Sequence, residues 1–487
     1  MADLKDAPNY EQEALNSLRS GDFAAAAALL KRAVEENGYT FPVLNNAYTV
    51  ALYKVGWRSE LADASFQIGN RMRDSDPSAA MDYFQRALLN GISPEQARKI
   101  GEWHEQRAAP RNTPNGSGPE IRTDRVAHVV GCLLSGHAPS LYVQLLSKAL
   151  RGRGVESYIF TTEWAANWFF NPPGARQSEP IEIEAQTVIA VVDGNFEERA
   201  GRVAAAIRNA KIDIAFYHNS LTEQITTRVA ALGPARVQVN VNHADEVVAD
   251  LFDGFIHLFE NGVQRTRFRF RPWRHIPLIS DIEERGSSCA QITRQSLGIR
   301  SAETVSATFG NLYKVSDSNY LQAVAKILKR FPAHFHIFAG SGDDAPIKEF
   351  FRRECLLPRI LFLGHMPDIA PLLGCIDVYL NSFPQSGGQS VLEPMAAAKP
   401  VVIRRYAEVT HQNVGAELGG LPDLIAASDD EYVAIAERLL ERPDLRRTYG
   451  ELLQQRFQAN FRPARLAQQY LDFMKSLSES RPGLKRE

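Results

Sequence analysis

The stretch VSATFGNLYKVSDSNYLQAVAKILKRFPAHFHIFA, residues 305–339, decides the fold. It opens on the apolar run Val305 to Phe309, turns at FGNLYK, continues as an amphipathic helix and closes on a second apolar run, Phe335 to Ala339. A helix between two short apolar runs predicts a right-handed βαβ unit with parallel, buried strands. The pattern continues downstream through Ile360 to Leu363, Val378 to Leu380 and Val401 to Ile403. Upstream it occupies Val126 to Leu134, Tyr158 to Phe160, Val188 to Val192, Ile212 to Tyr217, Val237 to Val241 and Phe255 to Leu258. The alternation pauses across Pro272 to Ala302, so we expect two doubly wound α/β domains, residues 125–275 and 276–478. A cleft between the C-terminal ends of their strands would be the place for a ligand.

Before this region the texture is helical. From Tyr10 to about Glu105 the chain is rich in Ala and Leu, without strand-like alternation. Ala14, Gly21, Phe23, Ala26, Leu30 and Ala33 reproduce the spacing of a tetratricopeptide unit, and Ala80, Phe84 and Ala87 repeat the last three of its small and large positions. The segment between the copies, around Tyr48, Leu52 and Trp57, is irregular. A generic helical bundle is the alternative reading of residues 1–105. Residues 106–124, with three prolines among Gly, Ser and Asn, read as a linker, and 479–487 as a tail.

Composition limits the function. Over 487 residues, 55 Lys and Arg face 57 Asp and Glu, so no global positive field exists to hold a nucleic-acid backbone. Cys132, Cys289, Cys355 and Cys375 form no C-x-x-C pair, which argues against a zinc site and a disulfide framework and suits a reducing compartment. The start MADLKDAPNYEQEAL lacks the basic and apolar regions of a signal peptide, and no apolar run approaches the roughly 18 residues of a membrane span. A cytoplasmic location is the expectation.

Two segments of the last domain carry the chemistry. In NSFPQSGGQSVLEPMAAAKPVV, Gly387 and Gly388 sit just before a helix opened by Gln389 and Ser390, where backbone N–H groups would face an anion. Glu393, one turn further, offers a carboxylate to the vicinal hydroxyls of a ribose. A plain tight turn would also explain the Gly-Gly pair. In FGNLYK, Lys314 on a strand-to-helix turn is a compact cation suited to a diphosphate.

With these residues the chain resembles the GT-B glycosyltransferases over about residues 125–478. GNLYK, ILKRFP and GLPDLIAASDDEYV are similar to the protein O-GlcNAc transferases and their bacterial N-glycosyltransferase relatives. That branch implies a diphosphate on Lys314, with Asn311 and Tyr313 beside it, and a nucleotide sugar along Gly387, Gly388, Gln389, Ser390 and Glu393. SGGQSVLEPMAAAKPVV and LGHMPDIAPLL instead resemble the large retaining GT-B group, in whose E-x7-E motif Glu393 takes the second place and Gln385 stands at the first. The resemblance therefore leaves retention and inversion both open.

On the acceptor side, SGHAPSLYVQLL follows the first strand, and His137 there resembles the histidine of the catalytic cleft. His243 in VNHADEV follows another strand end and is read either as a second cleft histidine or as a loop residue capping a helix, with His218 and His411 as weaker candidates. Arg265, Arg267, Arg269 and Arg271 share one face of any extended strand, either a solvated face or an anionic acceptor groove. Asp74-Ser75-Asp76 spells the metal signature of another glycosyltransferase class but lies in the helical region, so no cofactor and no catalytic metal are expected. The resemblance implies transfer of a hexose or N-acetylhexosamine from a UDP-linked donor to a protein side chain, the polypeptide held by the repeats. Transfer to a glycan or lipid-linked sugar, or an inactive scaffold that binds partners, are the alternatives.

Overall fold

The computed structural model describes residues 10–39, 42–75, 121–133, 138–163, 181–183, 186–191, 196–219, 224–243, 251–259, 272–286, 292–366, 368–406 and 413–479, with isolated positions between 80 and 103. The described chain forms two compact units. One gathers residues 1–112, 219–233 and 247–251, and the other residues 113–218, 234–246 and 252–487.

The first unit contains the helices Tyr10–Ser20, Phe23–Glu36, Pro42–Val55 and Arg58–Met72. Asp22 caps the second of them by accepting the Ala25 N–H at 3.0 Å. Small residues make the close approaches: Ala14, Ala26, Ala27 and Ala51 are buried with Leu30, Val34, Tyr48 and Leu52. Ala80, Phe84 and Ala87 belong to a second buried cluster with Phe66, Ile68 and Ile100. Of the Asp74-Ser75-Asp76 triplet, Asp74 lies exposed beside Arg73 and Asp76 lies outside the described residues.

The second unit holds two sheets. The first contains β1 (Arg125–Cys132), β2 (Glu156–Glu163), β3 (Ile181–Ile183), β4 (Gln186–Ala190), β5 (Ile214–Asn219), β6 (Val237–Asn242), β7 (Gly254–His257) and β8 (Trp273–His275), in the order β3-β4-β2-β1-β5-β6-β7-β8. β3 runs antiparallel to β4 at the edge. The second contains β9 (Thr304–Phe309), β10 (His334–Ala339), β11 (Ile360–Gly364), β12 (Val378–Leu380), β13 (Val401–Arg404) and β14 (Ile425–Ala426), in the order β11-β10-β9-β12-β13-β14. Its pairings are parallel. In each sheet the order reverses beside the first strand, between β1 and β5 and between β9 and β12, and such a switch point opens a crevice at the C-terminal strand ends.

Both expected α/β layers are present, and the short strands β3, β8 and β14 extend them. Each has two or three residues and no apolar run of its own, and β8 falls inside the pause in the sequence pattern. The helix Ser318–Arg330 shows why the rest was legible. Asp317 caps it by accepting from Asn319 N–H at 2.9 Å, Tyr320, Leu321, Val324, Ile327 and Leu328 form one buried stripe, and Lys329 and Arg330 suit its C-terminal end. The helix Pro463–Glu479 crosses back to the first sheet: its buried face carries Tyr470, whose hydroxyl meets that of Tyr142 at 3.1 Å on the helix Ala138–Arg151.

Candidate functional site

Lys314 leaves the C-terminal end of β9 on a loop that is held by backbone. Gly310 N–H donates to Ala339 O at 2.9 Å, Leu312 N–H to Ser341 O at 2.8 Å, and Lys314 N–H to Asn311 O at 3.0 Å. The loop presses on the end of β10 so closely that a Cβ on Gly340 would lie 1.7 Å from Gly310 O. Asn311 precedes the 3-10 turn Leu312–Lys314, Leu312 anchors it in the core, and Tyr313 stands 54% exposed beside Lys314. The Lys314 ammonium is partly buried and has no carboxylate partner among the described residues. Burial lowers its pKa, which marks a cation whose water has been removed and not replaced by an anion of the described residues.

Across the switch point, the loop after β12 leads to the helix Gln389–Ala396. Gly387 N–H donates to Asn381 Oδ1 at 3.0 Å, and a Cβ on Gly387 would collide with Ser390 Oγ at 2.1 Å, so only glycine fits. Gly388 is the N-cap residue, which has no side chain to satisfy the helix end, and no acidic residue occupies the first turn. The positive end of that helix is therefore not neutralised by its own side chains. Asn381 Nδ2 holds Ser386 Oγ at 2.7 Å, and Ser386 Oγ accepts Gly415 N–H at 2.9 Å, which fixes the loop. Tyr379, buried under both segments, ties them together: its hydroxyl lies 3.4 Å from the backbone of Phe309 at the end of β9 and is hydrogen-bonded to Ser390.

Glu393 is 9% exposed in the second turn of the helix. Arg285 Nη2 holds its Oε1 at 3.2 Å, and the same guanidinium pairs with Asp281 at 2.7 Å and Asp368 at 2.6 Å. Three carboxylates around one guanidinium leave the cluster acidic. Burial raises the Glu393 pKa to about 7; the Arg285 charge opposes that rise and is outweighed. Gln389 turns away from the helix end, its Nε2 donating to Ile279 O at 2.9 Å on the connection between the two sheets.

His137, Arg265, Arg267, Arg269, Arg271 and His411 lie outside the described residues. His243 does follow β6 and is buried, and its Nε2 lies 3.0 Å from His218 Nδ1. His218 in turn meets His128 Nδ1 at 3.0 Å. The structure thus brings Lys314, the Gly387–Ser390 turn and Glu393 to one switch point and sets His243 in a histidine chain on the other sheet. Sequence reasoning missed His128, Arg285, Tyr379 and Asn381. His128 hides in an apolar strand and Arg285 on a five-residue helix, so only Asn381, a polar residue at a strand end before a glycine turn, gave any signal. Among the described residues no group of three or more His, Cys, Asp or Glu is placed to hold a metal ion. No described helix is long and apolar enough to cross a membrane.

Two Rossmann-like parallel sheets and a helical N-terminal region define the GT-B class of fold. Residues 305–442, which include Lys314 and the Gly387–Glu393 segment, match the family of glycosyl transferases group 1. N-acetyl-alpha-D-glucosaminyl L-malate synthase of Bacillus anthracis is 26% identical over 189 residues, a match that spans 36% of this chain and 46%, about half, of that relative. An O-GlcNAc transferase mutant of Thermobaculum terrenum superposes with a TM-score of 0.57 at 17% identity, covering 96% of both chains. Anabaena HepE, solved with UDP and glucose, superposes with a TM-score of 0.54 at 17% identity over 72% of this chain and 99% of its own. At these identities the two structures share the fold.

Proposed function

We propose that this protein is a nucleotide-sugar-dependent glycosyltransferase of GT-B type that transfers a hexose or N-acetylhexosamine from a UDP-linked donor. The observation that carries the reading is the pairing of two positive groups at the β9/β12 switch point. Lys314 is a partly buried cation with no carboxylate partner among the described residues, and the helix at Gly388 offers an end that its own side chains do not neutralise. A diphosphate satisfies both. As the bond from the sugar C1 to the diphosphate breaks, charge develops on the leaving oxygens, and fixed donors there stabilise it without reorganisation. In this reading Glu393, one of whose oxygens Arg285 holds, accepts the hydroxyls of the ribose. The group 1 match, which spans these residues, and the UDP bound by the Anabaena neighbour support a nucleotide-sugar donor.

For the acceptor we propose a protein side chain, with the N-terminal helices, read as tetratricopeptide-like, holding the polypeptide. The structural likeness to the Thermobaculum protein, which extends over the helical region, supports this. A second reading, a small acceptor, is favoured by the Bacillus relative, whose name specifies malate. Incubating the full chain with UDP-hexoses and UDP-N-acetylhexosamines and either a protein fraction or a small-metabolite fraction separates the two by mass. A mass increase of one sugar on proteins is the expected result; increments confined to small molecules would transfer the conclusion to the second reading. UDP binding without transfer to either fraction would leave the inactive scaffold.

A further inference from the structure

Where β9 and β12 part at the switch point, hydroxyl groups take up the backbone groups that the strands leave behind. The parallel pairing runs through Ser306 opposite Val378 and Ala307 opposite Tyr379, and among the described residues it goes no further. Just beyond, Leu380 O accepts the Thr308 hydroxyl at 2.7 Å and lies 3.2 Å from that of Tyr320. Phe309 N–H points to the Tyr379 hydroxyl at 3.4 Å, and Asn381 O accepts the Tyr432 hydroxyl at 3.0 Å. Buried carbonyls need donors, and these two find theirs on side chains. We propose that Tyr320 and Tyr432 are positioning residues of the diphosphate site, whose hydroxyls stand in for the missing strand pairing and fix Asn381 for the Gly387 turn. The proposal rests on the proposed function in one respect, that this crevice receives a diphosphate.

The two phenols come from different elements and are held as one unit. Tyr320 belongs to the helix Ser318–Arg330 that follows the Lys314 loop, and Tyr432 to the helix Asp429–Glu441, which Ser428 caps by accepting Glu431 N–H at 3.1 Å. Both rings are fully buried. Phe383 stands between them, edge-on to Tyr320 at 5.3 Å and to Tyr432 at 4.9 Å. A hydroxyl at the tip of a packed ring is a donor with little freedom to move. Burial raises the pKa of both phenols, so each keeps its proton. The Tyr320 hydroxyl also touches that of Thr308, so strand and helix share the Leu380 carbonyl.

Asn381 passes this position on to the turn. Its N–H donates to Val402 O on β13 at 3.0 Å and its carbonyl is held by Tyr432, so its backbone is fixed on both sides. Its side chain then spans the turn, Oδ1 accepting Gly387 N–H at 3.0 Å and Nδ2 donating to Ser386 Oγ at 2.7 Å. The fit leaves no slack: a Cβ on Gly387 would lie 3.0 Å from Asn381 Oδ1, and one on Gly415 2.4 Å from Asn381 Nδ2. A carbonyl that lost its hydroxyl donor and turned to find another would carry the Asn381 amide away from Gly387. The helix end at Gly388 would then lose the preset geometry with which it meets an anion.

Hydrogen exchange and calorimetry on the full chain test the proposal, with Tyr470→Phe as the comparison, since Tyr470 is as deeply buried and its hydroxyl pairs with Tyr142 away from the switch point. In the ligand-free chain Tyr320→Phe and Tyr432→Phe should each speed exchange of the Gly387 amide about tenfold or more, and Tyr470→Phe should not. The same two variants should weaken UDP binding about fivefold or more, whereas Tyr470→Phe should lower stability in urea and leave UDP affinity unchanged. Wild-type protection of Gly387 or wild-type UDP affinity in Tyr432→Phe would overturn the proposal and make Tyr432 a core residue only. If Tyr320→Phe fails to fold, Tyr432→Phe decides alone. A wild-type chain that binds no UDP would overturn the glycosyltransferase reading, and the exchange rates would still decide whether the tyrosines position the turn.

Discussion

Lys314 is a partly buried cation with no carboxylate partner among the described residues. Its desolvation weakens the free protein, and a diphosphate would recover that cost. Lys314→Ala should therefore weaken UDP binding about ten- to a hundredfold, the loss of one charge-assisted contact of roughly 1.5–3 kcal/mol, without lowering the melting temperature of the free chain. A melting point that falls with the affinity would make Lys314 a structural residue. Glu393 gives a second test through its raised pKa of about 7. Between its unfolded pKa of 4.5 and that value, the folded chain binds more protons than the unfolded one, so its contribution is full below pH 4.5 and is lost as pH rises through 7. Melting curves of wild type and Glu393→Gln at pH 5 and pH 8 should show the variant gaining relative stability at the higher pH. A difference that does not change with pH would mean that Arg285 keeps Glu393 ionised throughout.

Elements explain why the site is rigid. β9 and β10 are joined on one face by a polar ladder: Ser306 Oγ lies 2.8 Å from both His334 Nε2 and His336 Nδ1, and Thr304 Oγ1 lies 2.9 Å from His334 Nδ1. Ser306→Ala would strip a partner from each of two buried rings, so a loss of about 1–3 kcal/mol in urea-unfolding stability is expected. A change of a few tenths would show that the rings find other partners. At the end of the same strands Gly340→Ala would drive a methyl group into Gly310 O, and the loop that carries Lys314 would have to move. Calorimetry should show UDP affinity falling with stability in that variant, whereas intact affinity would mean that the loop absorbs the shift. The positions of Lys314 and Gly387–Ser390 were legible because glycine and a cation at strand ends announce themselves in sequence. The ladder and the histidine row were not, since each joins residues 25 or more apart in sequence, and polar residues inside otherwise apolar strands look like noise until register pairs them.

For the whole molecule, the buried neutral histidines of both sheets set the response to acid. His128, His218, His257, His334 and His336 all have depressed pKa values, chiefly through burial. Each binds a proton in the unfolded chain below about 6.5 and resists it when folded, so stability should fall as pH drops below 6.5, by up to about 1.4 kcal/mol per pH unit for each ring. The two sheets and the helical region were readable from periodicity because buried parallel strands are continuous apolar runs; the grouping of residues 219–233 and 247–251 with the N-terminal helices was not, because it arises from tertiary contacts alone. The central claim is that the β9/β12 switch point is a nucleoside-diphosphate site. Isothermal titration of UDP into the full-length wild-type chain and the Lys314→Ala variant tests it most directly: the account predicts one site per chain, weakened about ten- to a hundredfold by the substitution, and equal affinity in the two proteins, or no binding to either, would contradict it.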